Sequence, residues 1–267
     1  MAANAEDPTG SAGRAADQGY TLVLEPSSRR VRAVFAGETI ADSRRMMLLH
    51  ESGHLPVYYF PLEDLGDEFL VASAHGTHCP HKGDAIYRSV RVGERVAENA
   101  VWTYPKPIAG ATDLAPYAAI YWNKMDAWYE EDEEIFVHAR DPYKRVDAVP
   151  STRAVEVVLG GETVASSRRA RFVFETGLLT RYYLPVEDVR MDLLEPSETL
   201  TRCPYKGEAR YWRARVGATV YDDIVWSYPD PVPECPKIKD LMCFYNEYVD
   251  AIRINGEVVE KTPTPWS

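Results

Sequence analysis

Cys79-Pro80-His81-Lys82-Gly83 returns as Cys203-Pro204-Tyr205-Lys206-Gly207, an interval of 124 residues. The same interval carries Gly37-Glu38-Thr39 onto Gly161-Glu162-Thr163 and Pro61-x-Glu63-Asp64 onto Pro185-x-Glu187-Asp188. It also carries Trp102-x-Tyr104-Pro105-x-Pro107 onto Trp226-x-Tyr228-Pro229-x-Pro231. Between residues 31 and 107, 35 of 77 positions match their counterpart without a gap, so one ancestral domain has been duplicated. The expected organisation is a disordered leader over 1–20, a first repeat over 21–138, a linker over 139–152, a second repeat over 153–260 and a tail over 261–267.

Each repeat has the length of a small domain with its own core. Short runs of alternating apolar residues separated by Gly turns predict a mainly β fold: two tandem antiparallel β domains, each with one or two short helices. Pro61 followed by Glu63 and Asp64 reads as a helix start, because acids there face unpaired N–H groups. Tyr117 to Trp128 fits strand or helix equally well.

With 41 acidic against 30 basic residues the net charge is −11. No Lys/Arg cluster is present to displace counterions from phosphates, so nucleic acid is not an expected partner. No apolar run is long enough to span a bilayer, and the leader lacks a signal pattern, so a cytoplasmic protein without membrane contact is expected. Four cysteines divided one to three between the repeats argue against a disulfide framework. No dinucleotide fingerprint, phosphate loop or pyridoxal-type signature occurs, so no organic cofactor is expected. A small-molecule ligand is the expected partner, and the sequence leaves homo-oligomer formation open.

The tyrosine pairs before Pro-x-Glu-Asp, the Thr-x-Cys-Pro-x-Lys-Gly loops and the Trp-x-Tyr-Pro-x-Pro segments together resemble the family known as domain of unknown function four-two-seven. The chain is similar to its tandem form over roughly residues 31 to 257. The resemblance implies a compact fold of the β-tent kind, with sheets meeting at an angle over a pocket. The family's label hints at nucleotidyl transfer. Zinc sites of other β-tent proteins use paired Cys-x-x-Cys knuckles, which this sequence lacks.

Candidate site residues follow from the shared motifs. In the Cys-Pro-x-Lys-Gly loop, Pro and Gly bend the backbone sharply. There Lys82 and Lys206 can stand near Cys79 and Cys203 and favour the thiolate of a nucleophile. The alternative is a small buried Cys plugging the turn, with Lys in solvent. Glu63 and Glu187 can move protons or, with their Asp neighbours, bind Mg²⁺; they equally suit the end of a helix. Trp102 with Tyr104, and Trp226 with Tyr228, fall on one face of a strand and form either a ligand wall or ordinary core. Tyr59, Tyr183 and Tyr205 extend that aromatic surface, and Trp212 beside Tyr211 adds to it in the second repeat. Arg45 and Arg169 can clamp an anion or pair with Glu51 and Glu175 on the next strand. The cluster His75, His78, Cys79, His81 looks like a metal site, but the second copy has Thr199, Arg202 and Tyr205 at the His positions, so no metal is expected.

The site so drawn is a small-molecule pocket in each repeat, with a reaction needing no cofactor. Competing readings are a non-catalytic binding or interaction module, and magnesium-dependent nucleotidyl transfer.

Overall fold

The structure is a computed structural model and describes residues 19–109 and 111–261. The leader, apart from its last two residues, and the tail from 262 onward lie outside the described residues. The chain divides into two units, Met1–Arg140 and Asp141–Ser267.

The first unit contains β1 (Leu22–Pro26), β2 (Val31–Phe35), β3 (Glu38–Ser43), β4 (Met47–Glu51), β5 (Val57–Pro61), β6 (Leu70–Cys79), β7 (Gly83–Val92), β8 (Arg95–Thr103), β9 (Tyr117–Ile120), β10 (Ala127–Glu130) and β11 (Glu133–Ile135). These form a seven-stranded antiparallel sheet, ordered β1-β4-β5-β9-β8-β7-β6, and a four-stranded sheet, ordered β11-β10-β2-β3. The second unit repeats the plan. Its strands are β12 (Val146–Pro150), β13 (Val155–Leu159), β14 (Glu162–Ser167), β15 (Arg171–Glu175), β16 (Arg181–Leu184), β17 (Leu194–Cys203), β18 (Gly207–Val216), β19 (Thr219–Ser227), β20 (Met242–Phe244), β21 (Ala251–Ile254) and β22 (Glu257–Val258). Its sheets run β12-β15-β16-β20-β19-β18-β17 and β14-β13-β21-β22. The expected mainly β, tandem fold is what the structure shows.

Side-chain alternation assigns each face of the large sheet. In β5, Tyr58 and Phe60 point into the core between the two sheets, with Val31, Ile40 and Trp128. Tyr59, one residue out of phase, joins a second layer on the opposite face with Leu49, Tyr87, Trp102 and Tyr104. Trp102 and Tyr104 thus share a face, as their spacing predicts. The hairpins β2–β3 and β13–β14 turn on Ala36-Gly37 and Gly160-Gly161. Both residues of each pair have positive φ, as a two-residue hairpin turn requires.

Two expectations need correction in detail. The helix after Pro61 is two single 3-10 turns, Leu62–Asp64 and Asp67–Phe69, repeated at Val186–Asp188 and Met191–Leu193. An α-helix cannot run on, because Leu65 and Val189 are pulled out as extended residues that bridge to Ala41 and Ala165 at the edge of the small sheet. The stretch 139–152, read as linker, contains β12, an edge strand fully paired with β15, and Ala148 packs in the aromatic layer. Its few apolar residues hid the strand, because only one face of an edge strand is covered.

The Cys-Pro-x-Lys-Gly loop is the turn between β6 and β7. The amide of Lys82 donates to the carbonyl of Cys79 at 3.3 Å, and Gly83 then bridges Pro107 while the amide of Ile108 donates to the carbonyl of Lys82. Cys203, Gly207, Pro231 and Val232 reproduce this. The two most conspicuous motifs are therefore one structure, since the Pro-x-Pro segment clamps the turn. Gly207 has φ +107, and a Cβ there would meet the carbonyl oxygen of Asp230 at 3.0 Å. Gly207→Ala should therefore cost about 2 kcal/mol or more in denaturant unfolding. Gly53→Ala, on an exposed turn with open space around it, should cost only about 1 kcal/mol. Equal losses would show that the clamp is not tight.

Candidate functional site

Glu51 ends β4, and Lys82 stands in the turn before β7. In the order of the large sheet these strands are four places apart, about 19 Å if the sheet were flat. Yet the Lys82 ammonium donates directly to the Glu51 carboxylate. The sheet must therefore curl, bringing its far strands together at one end, and the ion pair crosses the mouth of the curl. Lys206 and Glu175 do the same in the second unit. All four side chains are largely buried, at 6 % and 9 % exposure for Lys82 and Glu51 and 12 % and 8 % for Lys206 and Glu175.

The pairing sets the protonation states. Burial alone would raise the Glu51 carboxyl, but the Lys82 charge and hydrogen bonds from Lys82 and Tyr20 bring it below the usual carboxylate value. Burial would likewise lower Lys206, but the neighbouring Cys203 and Glu175 groups raise it. Lys206 is thus an ammonium at neutral pH, fitted to donate hydrogen bonds and stabilise negative charge and not to attack as an amine.

Around each pair lies the aromatic layer, the inside of the curl. Tyr59 meets Trp102 edge-on at 6.4 Å, and Tyr183 meets Trp226 at 6.3 Å with the indole N–H donating to the Tyr183 hydroxyl at 3.1 Å. Tyr87 and Tyr211 bond Thr77 and Thr201 at 2.9 and 2.8 Å. The Tyr205 hydroxyl accepts from the amide of Asp141 at 2.8 Å, and burial raises it to about 12. Lys82 stands 5.8 Å from the centre of the Tyr104 ring. The Tyr104 hydroxyl is fully buried and has no hydrogen-bond partner among the described residues. Its electrostatic neighbours are Tyr59, Cys79, Tyr87 and Glu51.

These rings fill the curl and do not line an open cleft. A shallow recess on the first unit, bounded by Leu62, Leu65, Ile86, Trp102 and Ala118, holds about 210 Å³ including open solvent. Cys79 is buried, Cys203 is partly exposed, and all four cysteines are free. Burial raises the Cys235 thiol and pushes that of Cys243 to about 12, so both stay protonated. Trp212 faces away from Tyr211, into the core between the sheets, and adds nothing to the aromatic layer.

The acidic and arginine motifs form a separate cluster. Arg45 pairs with Glu63 and Asp64 at 2.6 Å each, and Ser43 donates to Asp64. Arg169, Asp188 and Ser167 match, with Glu187 at 3.8 Å. The expected Arg45–Glu51 and Arg169–Glu175 pairs do not form, because the inward turn of Glu51 and Glu175 gives them to the lysines. Glu63 and Glu187 are mostly exposed. The carboxylates beside Cys-Pro-x-Lys-Gly are Glu51 and Glu175, which sequence reasoning assigned elsewhere. The signal for them was present: both are kept at the 124-residue interval, each at the end of a strand. The histidines part company too, with His78 on Asp84, His75 against Tyr87 and His81 stacked on Tyr20.

A tandem pair of curled β domains, each stapled by a buried Lys–Glu pair beneath a clamped turn, defines the class of protein. A family model described as Domain of unknown function (DUF427) matches residues 23–131 and again 147–257, and the chain belongs to that family. Among curated proteins none matches the chain.

Lys82→Met leaves Glu51 buried without its cation and should cost about 3–5 kcal/mol, whereas Lys82→Met with Glu51→Leu should recover most of it. Because Glu51 is depressed in the folded state, its contribution is complete above the unfolded carboxylate pKa, about 4.3, and is lost as pH falls through the lower folded value. The double variant should accordingly lose less stability than the parent between about pH 5 and 3. Thermal unfolding across pH checks both expectations.

Proposed function

We propose that each unit binds a small organic molecule at the mouth of its curled sheet. The ligand meets the Lys–Glu pair there and reaches the first aromatic rings beneath it. The observation that carries this reading is the Tyr104 hydroxyl, a fully buried donor without a partner beside an ion pair that is itself buried. Neither is explained by stability. A buried hydroxyl left unpaired costs about 1–3 kcal/mol, and a buried ion pair is often no better than apolar side chains of the same size. Barrel mouths are common ligand sites. The β-tent kinship implied by the family agrees, since there too a pocket lies under sheets that diverge.

On this reading Lys82 and Lys206 polarise an oxygen of the ligand, and Glu51 and Glu175 take or return a proton, a role first assigned to Glu63 and Glu187. Cys203, the more exposed sulfur, is better placed than Cys79 to react. Chemistry of this kind needs no organic cofactor. The non-catalytic alternative is favoured by one observation, the burial of Cys79 within the layer. Magnesium-dependent nucleotidyl transfer draws less support, because the Glu-Asp pairs are neutralised by Arg45 and Arg169, apart from the lysines.

A ligand-observed NMR screen of small carboxylate, carbonyl and hydroxyl compounds tests the proposal. The parent chain is compared with a variant carrying Lys82→Met, Glu51→Leu, Lys206→Met and Glu175→Leu. Binders of the parent should weaken about tenfold or more, the worth of one buried charge-assisted hydrogen bond. Affinities that do not change would sink the reading.

A further inference from the structure

We propose that the first unit holds a site for a hydroxyaryl group, and that the chain's own Tyr20 fills it. The inference rests on the reading of the sheet mouth as a ligand site, and names a class of ligand for it. Tyr20 precedes β1 and stands outside the residues matched by the family model. Its ring stacks on His81 with centroids 3.6 Å apart and planes 13° from parallel. Its hydroxyl donates to the same Glu51 carboxylate that Lys82 holds. The phenol is gripped on its face by the turn and at its hydroxyl by the buried ion pair, and so lies across the mouth. Cys79 lies two residues before His81 in the same turn.

The duplicated unit forms its ion pair without this phenol. At the interval of 124, Tyr20 becomes Lys144, whose ammonium bonds the carbonyl of Thr176 at 2.7 Å and not Glu175. The Lys206–Glu175 pair forms all the same. Exposure follows the difference. Cys79 is 4 % exposed, whereas Cys203 is partly exposed.

The chemistry of the grip defines the ligand. An ionised carboxylate only accepts hydrogen bonds, so the guest must present an O–H or N–H. The flat imidazole of His81 favours a planar ring. A neutral phenol meets both demands, and a bare arene meets one.

The test uses the full chain with Tyr20→Ala. The readout is the alkylation rate of Cys79 by iodoacetamide, mapped by mass spectrometry, with Cys203 in the same molecule as reference. The Cys79 to Cys203 rate ratio should rise roughly tenfold in the variant as the sulfur is uncovered. Millimolar p-cresol, the free side chain of tyrosine, should restore the parent ratio, and toluene at equal concentration should not. Tyr20→Phe, which keeps the ring without the hydroxyl, should fall between the two.

An unchanged ratio in Tyr20→Ala would overturn the inference. So would equal protection by p-cresol and toluene, which would mean an apolar gap only. A variant loosened by unfolding would gain no selective protection by p-cresol, and that result also counts against the site. If p-cresol protects Cys79 while the NMR binders ignore the lysine and glutamate substitutions, the phenol site stands and the general reading falls. The reverse pattern sinks this inference alone.

Discussion

An ammonium and a carboxylate that meet across the open end of a curled sheet govern both units. A seven-stranded antiparallel sheet twists of itself, but twist alone does not decide how far it closes. Lys82 with Glu51, and Lys206 with Glu175, join strands that lie four places apart. The rings of Tyr59, Tyr87, Trp102 and Tyr104 pack inside the resulting curl. The pair depends on the rings. Unless the rings pack, the lysine has no apolar wall to be buried against, and an unpaired lysine buried there would be too costly to keep.

The turn that carries the lysine is held from the outside. Gly83 and Gly207 take a backbone conformation that other residues rarely adopt, and each lies against the Pro-x-Pro segment. Proline donates no amide hydrogen bond, and its fixed φ keeps that segment extended where the turn leans on it. The ammonium is thus fixed through its backbone at one end and its carboxylate at the other. Such fixing favours binding that needs little rearrangement.

Much of this was legible in the sequence, because duplication printed each constraint twice. Strand alternation placed Trp102 and Tyr104 on one face, and the Gly turns marked the hairpins. What misled was distance along the chain. Glu51 is six residues from Arg45 and thirty-one from Lys82, so a local pairing rule chose the arginines. Only closure of the sheet brings Lys82 nearer. The Pro-x-Glu-Asp segment failed for a related reason: its local sequence favours a helix, but pairing of Leu65 with Ala41 in another sheet overrules it. The strand β12 was lost because an edge strand with one covered face carries too few apolar residues to stand out.

Comparison of the copies shows what each keeps and what it changes. Residues that set the curl are kept: the Gly-clamped turn, the Lys–Glu pair, the tyrosine of β5 and β16, and the Trp-x-Tyr strand end. A few residues that touch the mouth or line the layer change. His81 becomes Tyr205, Tyr20 becomes Lys144, Ala119 becomes Cys243, and Val57 becomes Arg181. Arg181 then pairs with Glu247 at 2.6 Å, and its guanidinium stands 5.6 Å from the centre of the Trp226 ring. A second buried ion pair thus enters the layer of one unit only, where the first unit has Val57 and Asn123. Tyr59, Cys79, Ala85, Tyr87, Trp102 and Tyr104, six of the nine buried residues of the layer, all recur in the second unit, so these few substitutions fall on a lining that is otherwise kept.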